Sequence, residues 1–82
     1  MENKNHKFLK DLQEILFECQ NPIEIYMKDG TILYLETGDG GFNVWCEGTE
    51  EVMFYSLDDF LNDYCINGTP FKYLLNDVDG IS

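Results

Sequence analysis

The fold is decided by residues 22–35, which read Pro22-Ile-Glu-Ile-Tyr-Met-Lys-Asp-Gly-Thr-Ile-Leu-Tyr-Leu35. In the first half of this stretch apolar and polar residues alternate, which is typical of a strand with one buried face. Asp29-Gly30 is a dipeptide favoured in two-residue hairpin turns, and a second apolar run follows it directly. The stretch therefore predicts two antiparallel strands.

A two-residue loop fixes which side chains of this hairpin share a face, because side chains alternate along each strand. The predicted facing pairs are Lys28 with Thr31, Met27 with Ile32, Tyr26 with Leu33, Ile25 with Tyr34, and Glu24 with Leu35. Tyr26, Leu33 and Leu35 then lie on the face opposite Ile25. The hairpin is therefore expected to be apolar on both faces.

Two further strands are predicted at residues 42–46 and 51–55, joined by short connections. The side chains assigned to the core face are Phe42, Val44, Cys46, Val52 and Phe54, and those assigned outward are Asn43, Trp45, Met53 and Tyr55. Short connections favour neighbouring antiparallel strands. The expected topology is a four-stranded antiparallel meander.

A first helix is predicted at residues 5–19, because apolar residues recur there at spacings of three and four. This stripe consists of Phe8, Leu12, Ile15, Leu16 and Cys19. Asn3 or Asn5 is the expected N-cap. Pro22 ends the helix, since proline disfavours helical geometry in the residue before it.

A second helix is predicted after Ser56, a good N-cap that is followed three residues later by Asp59. Its apolar stripe consists of Leu57, Phe60, Leu61, Tyr64 and Cys65. Asn67-Gly68 is expected to stop this helix, and Thr69-Pro70 to begin a short third one. Residues 76–82 are expected to be a frayed tail. The predicted fold is one α+β domain over residues 1–82, in the order α-β-β-β-β-α-α, with the helices on one sheet face.

The charge of the chain restricts its partners. Asp and Glu number 16 against five Lys and Arg, for a net charge of −11. Binding to phosphates requires Lys and Arg, so this balance argues against nucleic acid or an anionic membrane as a direct partner. A basic protein is the partner class that the charge favours, since opposite fields speed association.

The sequence contains no motif for catalysis, for a cofactor or for a metal. His6, the one histidine, is close to the N-terminus and has no evident partner, and the three cysteines have no C-x-x-C spacing. They are interpreted as reduced thiols of a cytoplasmic protein. No apolar run approaches the roughly 18 residues of a membrane span. We therefore expect a soluble protein that is not an enzyme.

Two surfaces are candidate partner-binding sites. The first is the outward sheet face, where Tyr26, Leu33, Leu35, Trp45, Met53 and Tyr55 are expected, with Glu24, Glu36 and Glu47 around them. Apolar anchors surrounded by charges are typical of protein-binding surfaces, although the third helix or the tail would also be able to cover this face. The second is the acidic set Asp58, Asp59 and Asp63, with Asp77 and Asp79 beyond it. Such a set is either a solvated face or an imitation of nucleic-acid phosphates.

These features predict a small inhibitor that occludes a basic site on a protein partner, such as a nuclease or another nucleic-acid-binding protein. Small acidic domains without an active site include phage-encoded inhibitors of host defence, among them anti-CRISPR proteins, and antitoxins. This analogy is one of type and rests on no shared motif. The alternative is a homodimeric structural or adaptor module that associates through the apolar sheet face.

Overall fold

The computed structural model describes the backbone of residues 4–19 and 22–82 and the side chains of residues 7–18 and 22–82. Its helices and strands are α1 (Lys4–Glu14), β1 (Ile23–Met27), β2 (Ile32–Gly38), β3 (Gly41–Cys46), β4 (Val52–Phe54), α2 (Leu57–Asp63), β5 (Cys65–Ile66), β6 (Thr69–Pro70) and β7 (Val78–Ile81). Five strands form an antiparallel sheet in the order β4-β3-β2-β1-β7, and β5 pairs with β6. The α+β class is confirmed. The predicted four-stranded sheet is matched in part, because β1 to β4 are neighbours in chain order but β7 adds a fifth strand that was not predicted.

The first helix is confirmed, although its last turn is wider than expected. A π-helical turn, Ile15–Cys19, continues α1. Leu12 and Leu16 are fully buried, and the ring of Phe17 packs edge-on against Phe42 with 5.8 Å between centroids. Asn5 lies inside α1 and not at its start. The predictions for Asn3 and the side chain of Cys19 fall outside the described residues.

The predicted register of the first hairpin is wrong by one residue. The Gly30 amide donates to the Met27 carbonyl at 3.0 Å, and the Met27 amide donates to the Thr31 carbonyl at 2.8 Å. The loop is therefore three residues long, with Gly30 in the left-handed region at φ +94°. Such loops combine a type I turn with a glycine bulge. The extra loop residue turns every side chain of β2 to the opposite face.

Leu33 and Leu35 are the residues most affected by this correction. They lie opposite Ile25 and Ile23 and are 0% and 1% exposed. Their predicted place on the outward face is wrong. Tyr34, predicted to face the core, lies outward instead, opposite Glu24.

The connection between β2 and β3 is a tight turn. Gly38 pairs with Gly41, so the turn contains only Asp39 and Gly40, both at positive φ. This geometry is that of a two-residue primed turn, whose twist matches that of the flanking strands. The turn thus holds β2 and β3 in register along six residue pairs.

The second helix is confirmed with its cap. The Asp59 amide donates to the Ser56 hydroxyl at 3.1 Å, as in a capped first turn. Phe60 and Tyr64 are buried, whereas Cys65 is exposed in β5, so its predicted place on the helical stripe is wrong. The helix ends at Asp63 because Tyr64 is already extended.

The predicted third helix does not form in the described residues. Asn67 and Gly68 both have positive φ and make the two-residue turn between β5 and β6. Two short 3-10 turns follow, Phe71–Tyr73 and Leu75–Asp77. The expected frayed tail is β7, which pairs with β1, and the chain continues this pairing where the Ser82 amide donates to the Glu24 carbonyl at 2.9 Å. Val78 and Ile81 pack against the core, which explains why the tail is ordered on this edge.

Asp29, in the hairpin loop, is expected to make the stability of the protein depend on pH. Its carboxylate accepts a hydrogen bond from the Thr31 amide at 2.9 Å, and this bond lowers the pKa of Asp29. A lowered pKa in the folded state adds stability above the unfolded-state pKa of about 3.9 and loses it as the pH falls through the folded-state value. We expect Asp29→Ala to lower Tm at neutral pH. The difference in Tm between this variant and wild type should become smaller at about pH 3.

Thermal unfolding of wild type, Asp29→Ala and Asp29→Asn at both pH values tests this expectation. Asn keeps an acceptor oxygen that does not titrate, so it serves as the matched control. A gap between Asp29→Ala and wild type that stays constant with pH would contradict the assignment.

Candidate protein-binding site

The two faces of the five-stranded sheet are covered differently. In the described part of the chain, α1, α2 and the 3-10 turns pack on one face, which carries the buried core. The apolar side chains of the opposite face lie outside that core cluster. We call this opposite side the outer face. The two 3-10 turns do not cover the outer face, because their residues Phe71, Leu74 and Leu75 pack on the core.

Strand register arranges the outer face in three rows. The middle row consists of Glu24, Tyr34 and Trp45 on β1, β2 and β3. The row on one side of it consists of Tyr26 and Ile32, and the row on the other side consists of Glu36, Asn43 and Met53. We name the apolar and aromatic members Tyr26, Ile32, Tyr34, Trp45 and Met53 the outer-face patch. All five are half-buried.

The centre of the outer-face patch is an aromatic pair. Tyr34 and Trp45 face each other across β2 and β3, with 5.7 Å between ring centroids and 20° between ring planes. Stacking limits the rotamers of both rings, so they present a large surface without a large entropic cost on binding. Tyr and Trp are also the side chains that most often anchor protein interfaces.

A recess of about 470 Å³ lies beside this pair. Its lining includes Pro22, Glu24, Tyr34, Glu36 and Trp45. Glu24 is directly opposite Tyr34 on β1, and Glu36 lies two residues beyond Tyr34 on the same face of β2. Glu24 and Glu36 therefore lie on two different sides of Tyr34, one across the strand pair and one along β2.

The structure brings together some of the predicted site residues. Glu24, Tyr26, Glu36 and Trp45 share the outer face as predicted, and Ile32 and Tyr34 join them because of the corrected register. Glu47 is exposed in the turn after β3. Tyr55 follows β4, is 65% exposed, and places its ring beside Gly41.

The acidic set Asp58, Asp59 and Asp63 is separate from the outer face. All three are exposed on α2, which packs on the core face through Phe60. Asp58 and Asp59 lie in the first turn of α2, where carboxylates stabilise the helix by interacting with the positive end of its dipole. The aromatic and acidic candidate surfaces therefore lie on opposite sides of the sheet.

The Cys46 thiol contacts the buried residue Tyr64. The Cys46 thiol lies 3.2 Å from the Tyr64 hydroxyl, and burial, followed by this contact, raises the pKa of Tyr64. Tyr64 therefore stays neutral at physiological pH. Among the described residues, no group of His, Cys, Asp and Glu is arranged to hold a metal ion. The side chain of His6 lies outside the described residues.

A second recess, of about 510 Å³, lies between the β1–β2 loop and the β5–β6 hairpin. Met27, Ile66 and Leu74 contribute its apolar lining, and Lys28 and Asp29 contribute charges of opposite sign. It has no aromatic lining residue. The recess on the outer face therefore combines more of the features by which proteins recognise one another.

No protein-family model, curated protein or solved structure matches the chain. The helices in the described residues are also too short, or too polar, to cross a bilayer.

Proposed function

We propose that this protein is a small inhibitor that binds a basic protein through its outer-face patch and blocks the covered site by occlusion. The observation that carries this proposal is the Tyr34–Trp45 stack, which none of the described helices or turns covers and which has Glu24 and Glu36 beside it. Aromatic anchors surrounded by polar groups are the usual composition of a binding hot spot. The inhibitor therefore needs no catalytic group of its own.

The charge distribution supports a basic partner. No Lys or Arg occurs between Lys28 and Lys72, a segment that includes β2, β3, β4 and α2. Three of the five cations are instead Lys4, Lys7 and Lys10, in or next to the first turns of α1. The sheet and α2 thus create a negative field that attracts a basic protein. A nuclease or another nucleic-acid-binding protein fits this description, because its nucleic-acid-binding site is basic.

We further propose a cytoplasmic anti-defence role of the anti-CRISPR type, in which the acidic inhibitor imitates nucleic acid. In this proposal the acids Asp58, Asp59 and Asp63 contribute to the field and to steering, because they lie on the side of the sheet opposite the patch. Direct contacts belong to the outer face. Basic toxins are partners of similar chemistry, so an antitoxin would bind in the same way.

A homodimer is the second candidate, and the apolar side chains Ile32 and Met53 favour it. Burying them between two copies would contribute hydrophobic stabilisation. However, each copy carries a charge of −11, and an interface over the outer face would include Glu24 and Glu36 of both copies. Like charges at an interface are costly. The charge therefore favours a basic partner over a second copy.

Capture from lysate followed by an inhibition assay tests the proposal. The tagged protein is incubated with lysate of its source, and retained proteins are eluted by a salt step from about 50 mM to about 500 mM, which screens exposed charges. We expect a basic protein that elutes with salt and that, once purified, loses nucleic-acid binding when the inhibitor is added in equimolar amount. Retention of only untagged copies through high salt would contradict the inhibitor function and support the homodimer.

A further inference from the structure

We propose that the recess beside the Tyr34–Trp45 stack binds the guanidinium group of an arginine side chain from the partner. This inference rests on the proposed function, because it names the group by which a basic partner would be recognised. The recess is lined by both aromatic residues and by Glu24 and Glu36. It thus combines the two kinds of contact that an arginine side chain makes best.

The aromatic lining favours a cation with a flat, weakly hydrated head. A guanidinium group stacks on the face of Trp or Tyr and gains from cation–π attraction, most of all with Trp. Trp45 and Tyr34 are held in place by each other and by the sheet. The surface that receives the guanidinium is therefore formed before binding.

The two carboxylates favour arginine over lysine. The guanidinium group has five N–H donors in a planar fork, so it can donate to Glu24 and Glu36 together, whereas the lysine ammonium is a compact, strongly hydrated charge. Among the described side chains, Lys7 and Asp11 form the one ion pair, so neither glutamate has an ion-pair partner there. Both carboxylates thus remain available to an incoming cation.

The single tryptophan of the chain gives a direct readout. Because the sequence has one Trp, at position 45, intrinsic fluorescence reports on this recess. Capped hexa-arginine and hexa-lysine peptides are titrated at low ionic strength, with the emission of Trp45 as the signal. The peptides carry the same charge, so a difference between them isolates the guanidinium group. We expect the arginine peptide to bind about tenfold more tightly.

Three variants separate the recess from the overall charge. Glu24→Gln and Glu36→Gln each remove one charge from the recess, and Glu51→Gln removes one charge from the exposed residue just before β4. We expect either recess variant to weaken arginine-peptide binding about fivefold and to reduce the preference over lysine. Glu51→Gln should weaken the binding of both peptides slightly and equally.

Equal binding of the two peptides, or equal effects of Glu51→Gln and the recess variants, would overturn the arginine site. Capture of the lysate partner by the recess variants and by Trp45→Ala tests the proposed function separately. If Trp45→Ala abolishes capture while both recess variants retain it, the outer face is the binding surface but the arginine assignment is wrong. If Trp45→Ala captures the partner like wild type, the binding surface itself is wrong.

Discussion

Phe60→Ala is expected to remove most of the free energy of unfolding of this domain. Removing a fully buried phenylalanine ring costs about 3–5 kcal/mol. A small domain has a free energy of unfolding of about 5–15 kcal/mol, and 82 residues place this chain near the lower end. For a domain of this size, that loss lowers Tm by about 12–40 °C.

The reason lies in how many rings surround Phe60. Its side chain is 0% exposed, and its ring centroid lies 5.8 Å from that of Phe42, 5.7 Å from Phe54 and 4.9 Å from Phe71. These neighbours belong to β3, β4 and the first 3-10 turn, so Phe60 joins α2 to both the sheet and the C-terminal segment. Rings held on separate elements cannot collapse into the space that Phe60 vacates, and a cavity remains.

Thermal and urea unfolding of Phe60→Ala measure this loss directly. Tyr73→Ala is the matched control, because it also removes an aromatic ring but at a position that is 69% exposed. We expect Tyr73→Ala to melt within a few degrees of wild type, since substitutions of exposed residues change stability by about 0.5 kcal/mol or less. If Phe60→Ala melted together with Tyr73→Ala, the aromatic cluster would not be the centre of the core.

The hairpin shows why the strands could be predicted when their register could not. Asp29-Gly30 fits a two-residue loop and a three-residue loop equally well, and the choice depends on whether Gly30 takes the bulge position. The apolar pattern of β2 does not decide between them, because Ile32 and Tyr34 would cover the core face in one register and Leu33 and Leu35 in the other. The three-residue loop places the aliphatic Leu33 and Leu35 together in the core and leaves Tyr34 in the outward row with Glu24.

The C-terminal part was mispredicted for a different reason. Asn67-Gly68 is a strong signal for a left-handed backbone, which serves both a helix end and a tight hairpin. Only the pairing of β5 with β6 distinguishes the two. The position of β7 depends on β1, more than fifty residues earlier in the chain, and on the burial of Val78 and Ile81. Such non-local pairing leaves little trace in a local pattern.

Only part of the candidate site was predicted, because the site depends both on alternation along single strands and on the register between strands. Glu24, Tyr26 and Trp45 followed from alternation along single strands. The central pair was missed because Tyr34 reaches Trp45 only in the corrected register. The corrected register also explains why the outer face has glutamates around an aromatic centre instead of two exposed leucines.

Trp45→Ala is expected to abolish partner capture while the domain stays folded. Trp45 is half-buried on the outer face, outside the core cluster, and its ring contact is with Tyr34. Truncating a central aromatic anchor of an interface costs about 2–4 kcal/mol of binding free energy, which is a loss of roughly 30-fold to 1,000-fold in affinity. The cost in stability is smaller, because the substituted side chain leaves no enclosed cavity.

Capture of the lysate partner and thermal unfolding, measured on the same preparations, separate these two effects. Tyr73→Ala again serves as the control, since Tyr73 is an exposed aromatic residue on a turn that packs on the core face. It should capture the partner as wild type does. If Trp45→Ala unfolded the domain, Trp45 would belong to the core, whereas retained capture by a folded Trp45→Ala protein would exclude the outer face as the binding surface. Loss of capture without loss of fold is the result that the position of the Tyr34–Trp45 stack outside the core predicts, because contacts made only with a partner stabilise only the complex.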